Sequence, residues 1–239
     1  MKFKLASAAI AGLGLAISAV GVLPANASES PETADLRAWY EQVGVDDATA
    51  NELITKINRG ELPDSVEGAL SPADVTISEE NGWTVTRSTY PDGSVALTYL
   101  ELPEAEGLPA LASLNSTEAA IEPMSVGNCS STEGGSGYAS YYDCGVIEST
   151  DLITMSFRAN YTRTSSGVGT ISSAYSPYVY TNAGSAPTPT LTINRPSGTV
   201  SNPAQARAVT QFSGASGGFT AYLYLNVHGG SAWSSKSGW

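Results

Sequence analysis

Strict alternation of apolar and polar residues in two stretches constrains the fold of this chain more than any other feature. From Ile153 to Tyr161 every second residue is apolar or aromatic, and Thr, Ser, Arg and Asn lie between them. From Phe219 to Val227 apolar residues again take every second position. Because successive side chains of a strand point to opposite faces, each stretch predicts a strand with one buried face.

Weaker strand patterns surround these two stretches. They lie near 137–149, 168–180, 188–194 and 205–213, and clusters of Gly, Ser, Asn and Pro separate them. A series of short strands joined by such turns predicts an antiparallel β-sandwich or barrel over residues 125–239.

The preceding segment, residues 28–102, predicts a small acidic α+β region. Apolar residues spaced i, i+3, i+4, i+7 predict a helical hairpin between 30 and 60. Ser30 is the expected N-cap of the first helix, and Asp46 or Asp47 that of the second. The apolar positions are Leu36, Trp39, Tyr40 and Val43, then Ala50, Leu53, Ile54 and Ile57.

Turn residues then separate two extended stretches. Residues 83–88 and 94–101 flank the Tyr-Pro-Asp-Gly sequence of Tyr90–Gly93, which predicts a β-hairpin. Residues 103–124 are rich in Pro, Glu and Ala and predict a linker to the β-sandwich domain.

The N-terminus, residues 1–27, has the pattern of a signal peptide. Lys2 and Lys4 precede an uncharged stretch from Leu5 to Leu23, and Ala25-Asn26-Ala27 supplies the small residues that a signal peptidase recognises. Cleavage is expected between Ala27 and Ser28. A membrane anchor is the alternative, but the small residues, Pro24 and the cleavage site favour removal of the segment. The sequence therefore predicts a secreted, extracellular protein without a stable membrane anchor.

Charge is distributed unevenly in the chain that would remain. It holds 9 Lys+Arg against 23 Asp+Glu, a formal charge of −14. Residues 28–124 carry −15 and residues 125–239 carry +1. Neutralising the phosphate backbone of nucleic acid needs clustered Lys and Arg, which are absent, so nucleic acid is not an expected partner.

Two cysteines, Cys129 and Cys144, are the only ones in the chain. In an exported protein they predict a disulfide. A zinc site is not expected, because two Cys and a single His supply too few ligands. No calcium loop, phosphate loop or dinucleotide fingerprint occurs, so no metal or cofactor is predicted.

A nucleophilic serine is the first catalytic possibility. Gly214 to Gly218 places Ser216 in a G-x-S-x-G pattern, but that motif works at a strand-to-helix turn, and here a strand follows. A hairpin turn is therefore predicted. The sole histidine, His228, has no identifiable orienting partner and is expected to be a half-exposed strand residue.

A carboxylate pair is the second catalytic possibility. The β domain offers Glu133, Asp143, Glu148 and Asp151, which border adjacent predicted strands, so that a close pair among them stays open. Nothing in the pattern distinguishes them from turn or edge residues. No catalytic residue is predicted.

The aromatic residues give the one positive indication of function. Nine of the twelve tyrosines follow residue 124, and Tyr222 and Tyr224 share the face opposite the apolar stripe of their strand. An open face of this kind binds sugars or proteins, whereas a covered one would be a second core face; the sequence leaves both possible. The candidate ligand-binding residues are Tyr222, Tyr224, Tyr178, Tyr180 and Trp233.

Five short segments carry a family resemblance. They are Ala25-Asn26-Ala27, Gly44–Thr49, Tyr90–Val95, Gly137–Cys144 and Met155–Thr162. Over most of its length the chain resembles uncharacterised secreted proteins of actinobacteria. That group implies no activity, so no functional residue follows from the resemblance.

Three functions are consistent with these patterns. The leading hypothesis is a secreted, non-catalytic binding protein whose aromatic face contacts a glycan, the cell envelope or a protein partner. The second is a toxin or bacteriocin-like protein with residues 28–124 as an acidic pro-region. The third is an extracellular hydrolase.

Overall fold

The computed structural model describes residues 30–80, 83–101 and 129–239. The predicted signal peptide, its cleavage site and the predicted linker at 103–124 lie outside these residues. The helices are α1 (Pro31–Gln42), α2 (Asp47–Asn58) and α3 (Asp64–Glu67). The strands are β1 (Asp74–Glu80), β2 (Trp83–Thr89), β3 (Val95–Glu101), β4 (Ser131–Gly135), β5 (Tyr138–Thr150), β6 (Ile153–Thr164), β7 (Gly169–Thr181), β8 (Thr190–Arg195), β9 (Ala204–Gly214), β10 (Gly217–Val227) and β11 (Ala232–Ser237).

These strands form two antiparallel sheets. The larger sheet has the order β1-β2-β3-β5-β6-β7, with β4 also paired to β5, and the smaller one has the order β11-β10-β9-β8. Their inner faces share one hydrophobic core. The predicted mainly β, antiparallel fold with a small helical region is confirmed. Of the two predicted arrangements the structure fits the sandwich, because its strands form two sheets that only isolated bridges, such as Thr170 with Ser197, connect at their edges.

The alternating stretches supply the centre of that core. Met155 and Ala159 on β6 are 0% exposed, as are Leu223 and Leu225 on β10. The residues between them are more exposed, which gives each strand the predicted buried face. Burial of apolar surface on both sheets therefore holds the sandwich together.

Side-chain caps begin both long helices at the predicted residues. The Ser30 hydroxyl accepts the Thr33 N–H at 3.2 Å, and the Asp46 carboxylate accepts the N–H groups of Ala48 and Thr49, each at 3.1 Å. These bonds satisfy N–H groups that have no partner within the helix. The apolar faces of the helices join the same core as the sandwich.

The N-terminal region is attached to the β domain by a short ladder, and ionic contacts link its own elements to each other. Ala96–Thr98 of β3 pair with Glu148–Thr150 of β5, so the predicted β-hairpin of β2 and β3 extends the larger sheet. Lys56 of α2 reaches both Asp64 at 2.8 Å and Asp92 at 2.7 Å. The helices, the hairpin and the sandwich are therefore packed together.

Three strands were not predicted from the sequence. They are β1, β4 and β11. Both β1 and β11 are edge strands, and every residue of β4 is exposed. The sequences of β4 and β11 lack an apolar residue at every second position, and in β1 only Val75 and Ile77 have this spacing, which is too short a pattern to predict a strand.

The backbone of the larger sheet approaches that of the smaller sheet closely at Gly169. A substitution at this residue therefore tests how tightly the two sheets are packed. A Cβ at this position would lie 2.3 Å from the Val227 carbonyl oxygen of β10. Gly169→Ala is expected to lower the free energy of unfolding by about 1–3 kcal/mol, measured by denaturant titration, because a packed backbone must move.

The matched control is Gly230→Ala. An added Cβ there meets no atom within 4 Å, and Gly230 is not among the residues with positive φ. Its effect is expected to stay within about 0.5 kcal/mol. Equal stability of the two variants would show that the junction tolerates a side chain.

Candidate functional site

The outer side of the smaller sheet carries an aromatic cluster with one arginine. Tyr222 and Tyr224 of β10 have nearly parallel rings, with centroids 6.2 Å apart and an interplanar angle of 16°. Arg207 of β9 is paired with Tyr224, and its guanidinium carbon lies 5.8 Å from the Tyr222 ring centroid. Trp233 of β11, paired with Asn226, completes what we call the aromatic face: Arg207, Tyr222, Tyr224 and Trp233.

Solvent reaches this aromatic face. Tyr222, Tyr224 and Trp233 are each half-exposed, whereas the alternate residues from Ala221 to Val227 are 0% exposed. Within the described residues, neither tyrosine hydroxyl donates a hydrogen bond to the protein. Half-exposed rings with free hydroxyls are suited to contacting a ligand through both apolar and polar atoms.

A row of hydrogen-bonded polar side chains lies beside the rings. Asn194 donates to Gln205 at 3.4 Å, Gln205 donates to Asn226 at 2.9 Å, and Asn226 donates to Ser235 at 3.0 Å. These four residues come from β8, β9, β10 and β11 in turn, so the row crosses the whole sheet. Asn226 is 5% exposed and holds the centre of the row, whereas Asn194, Gln205 and Ser235 reach solvent. Mutual bonding fixes the orientation of the amides before any ligand binds.

Sequence reasoning missed Arg207 and the polar row. Gln205 and Arg207 alternate with three alanines, Ala204, Ala206 and Ala208, all of which are 0% exposed. That alternation was a usable signal, because it puts both polar residues on the face opposite the core.

The remaining two candidate tyrosines lie on a different surface. Tyr178 and Tyr180 of β7 are paired with Ser156 and Thr154, on the outer side of the larger sheet. They are 58% and 48% exposed. The five candidate residues therefore do not form one site, because the core separates Tyr178 and Tyr180 from the aromatic face.

Two of the candidate carboxylates are surface residues. Glu133 accepts a hydrogen bond from the Tyr142 hydroxyl at 3.2 Å. Asp143 lies at a register shift in β5 with a φ of 54°, bonded to Arg158 and to the Tyr175 hydroxyl. The Arg158 hydrogen bond, followed by that from Tyr175, holds the pKa of Asp143 below its usual value.

The other two carboxylates, Glu148 and Asp151, are buried where β3 meets β5. Asp151 accepts the Val95 N–H at 3.1 Å and the Ser65 hydroxyl at 3.0 Å. Glu148 accepts hydroxyl hydrogen bonds from Thr98 at 3.0 Å and from Ser234. Donors from α3, β3 and β11 thus converge on these two groups, which join the N-terminal region to both sheets.

Burial changes the proton affinity of this junction. It raises the pKa of Asp151 to about 7, although the hydrogen bonds from Val95 and Ser65 favour the ionised form. It lowers the pKa of Lys236 to about 8, while Glu148 and Asp151 act in the opposite direction. The Lys236 ammonium also donates to the Ser65 carbonyl at 2.8 Å. The junction is therefore sensitive to pH.

Ser216 and His228 lie at opposite ends of β10. Ser216 is in the turn between β9 and β10, which confirms the predicted hairpin turn. His228 follows the other end of the strand, is half-exposed, and its Nε2 lies 3.1 Å from the Val200 carbonyl oxygen. An eleven-residue strand separates them by about 35 Å, so the two side chains cannot act together.

Cys129 and Cys144 form the predicted disulfide. Among the described residues no group of three His, Cys, Asp or Glu comes together to hold a metal ion. In the same residues, no helix has the length and apolar character needed to cross a membrane.

Comparison with known proteins adds a similarity at the level of structure. No protein-family model matches the chain, and no curated protein matches it. Among solved structures, a hypothetical protein from Listeria monocytogenes EGD-e is similar, with 14% sequence identity and a TM-score of 0.34. The match covers 66% of this chain and 95% of that one. The resemblance to secreted actinobacterial proteins stays a prediction.

Proposed function

We propose that this chain is a secreted glycan-binding protein that holds its ligand on the aromatic face. The observation that carries the proposal is the combination, on one sheet surface, of half-exposed rings and a prearranged row of amides. Sugars present an apolar C–H face and hydroxyl groups together. Rings pack against the C–H face, while amide and hydroxyl groups bond to the sugar hydroxyls.

A rigid β scaffold supports this use of the surface. Tyr222, Tyr224 and Trp233 project from paired strands whose opposite faces are packed in the core. The tyrosine rings also contact each other, which limits the rotamer freedom that binding would otherwise remove. Less conformational entropy is then lost when a glycan binds.

The test is binding of the purified protein to insoluble polysaccharides and cell-wall preparations. The double variant Tyr222→Ala with Tyr224→Ala is expected to weaken binding at least about tenfold, because central aromatic contacts contribute more than about 1 kcal/mol each. Depletion from the supernatant across a range of polysaccharide concentrations gives the affinity.

The matched control is Tyr178→Ala with Tyr180→Ala. It removes the same two side chains from the other side of the sandwich, and we expect unchanged binding. Equal losses in both double variants would refute the assignment of the aromatic face, as would full binding by the Tyr222 and Tyr224 variant.

A further inference from the structure

The sign of the charge around the aromatic face indicates what kind of glycan it binds. All acidic residues of the chain occur at or before Asp151, and residues 152–239 hold five bases and no acid. The smaller sheet lies entirely within this acid-free segment. An anionic ligand on this surface therefore meets no carboxylate from the strands that contact it.

Arg207 is the cation placed to bind such a ligand. Within the described residues, the other four bases after residue 151 each donate at least one hydrogen bond to the protein, whereas Arg207 donates none. These four are Arg158 to Asp143, Arg163 to Gly230, Arg195 to Pro203 and Lys236 to Ser65. The Nε atom of Arg207 is buried without a hydrogen-bond partner.

The Tyr222 ring holds this guanidinium in place. A cation above an aromatic face is attracted by the ring and remains free to donate its N–H groups elsewhere. The planar fork of a guanidinium matches the paired oxygens of a carboxylate or phosphate. Arg207 thus has a fixed position and unused donors beside the rings.

We propose that the ligand is an anionic polysaccharide, bearing carboxylate or phosphate groups, and that Arg207 determines this specificity. The inference rests on the proposed glycan-binding function of the aromatic face. Tyr222, Tyr224 and Trp233 bind the sugar rings, and Arg207 binds the acidic group.

Three polymers test the proposal: polygalacturonate, its fully methyl-esterified form, and a phosphomannan, which carries phosphate groups on sugar rings. The wild type is expected to bind at least one anionic polymer about tenfold more tightly than the methyl ester, equivalent to one charge-assisted contact. The anionic polymer that binds identifies the carboxylate or the phosphate as the group recognised. The preference is expected to shrink in high salt.

Variants separate the role of Arg207 from a loss of structure. Arg207→Gln is expected to reduce the ratio of the two affinities to about one, because binding to the anionic polymer weakens by more than binding to the methyl ester. Arg207→Lys, which keeps the charge, is expected to retain part of the preference. Arg59→Gln removes one positive charge from the exposed end of α2 and is expected to change nothing.

The outcomes distinguish this inference from the proposed function. Equal binding to charged and esterified polymers, unaffected by Arg207→Gln, would overturn the anionic specificity and leave the glycan-binding function standing. If the protein binds none of these polymers, and none of the insoluble polysaccharides and cell-wall preparations, both the anionic specificity and the glycan-binding function are overturned.

Discussion

Asp151→Asn is expected to stabilise the protein above pH 7 by a few kcal/mol. Asp151 is 0% exposed, and burial raises its pKa to about 7 from 3.8. Such a difference corresponds to a cost on the order of 4 kcal/mol for ionising the native state at high pH. Asparagine keeps the shape, accepts the Val95 N–H and donates to the Ser65 hydroxyl, but has no proton to lose.

The direction of this pH dependence follows from the numbers of protons that the native and the unfolded chain bind. Between about pH 4 and pH 7 the native state holds a proton on Asp151 that the unfolded chain has released. The free energy of unfolding contributed by this group therefore falls as pH rises through that window. Lys236 acts in a separate window: its lowered pKa makes stability rise between about pH 8 and pH 10.5.

Denaturant titrations from about pH 4 to about pH 10.5 measure both effects. The wild type is expected to lose stability toward pH 7, and the Asp151→Asn variant to lose less. Glu52→Gln removes one negative charge from the exposed side of α2 and is expected to change stability at pH 7.5 by less than about 0.5 kcal/mol. Destabilisation by Asp151→Asn at pH 7.5 would instead show that Ser65, Val95 and Lys236 favour an ionised carboxylate.

Loss of the disulfide is expected to have the next largest effect. The bridge from Cys129 to Cys144 spans 15 positions and encloses β4 and the first part of β5. Cross-linking a loop of that size restricts the unfolded chain by about 3 kcal/mol. The double variant Cys129→Ala with Cys144→Ala is expected to lose about that much free energy of unfolding.

Reductant provides the control for this variant. Denaturant titration of the wild type under reducing conditions is expected to approach the curve of the double variant, which itself does not respond to reductant. β4 is wholly exposed, so its amide protons are expected to exchange faster without the bridge. An unchanged midpoint in the double variant would show that the bridge adds nothing to stability.

The sequence was sufficient where the signal is local. The alternation in β6 and β10, the caps at Ser30 and Asp46, and the turn at Ser216 each depend on residues close together in the chain. Their physical cause is also local, in strand geometry, in unsatisfied N–H groups and in turn conformations. These elements form where they were predicted.

Only the tertiary structure decided which surfaces and buried groups exist. Apolar residues at every second position show which side chains share a face of one strand. They do not show which sheet the strand joins or what covers its other face. The pairing of the strands therefore puts Tyr178 and Tyr180 on the outer side of the larger sheet, and Tyr222 and Tyr224 on the outer side of the smaller one. The sequence pattern did not distinguish Glu148 and Asp151 from turn or edge residues, yet the pairing of β3 with β5 buries them. The free donors of Arg207 likewise depend on which side chains surround it, because burial and hydrogen bonding are set by residues distant in the chain.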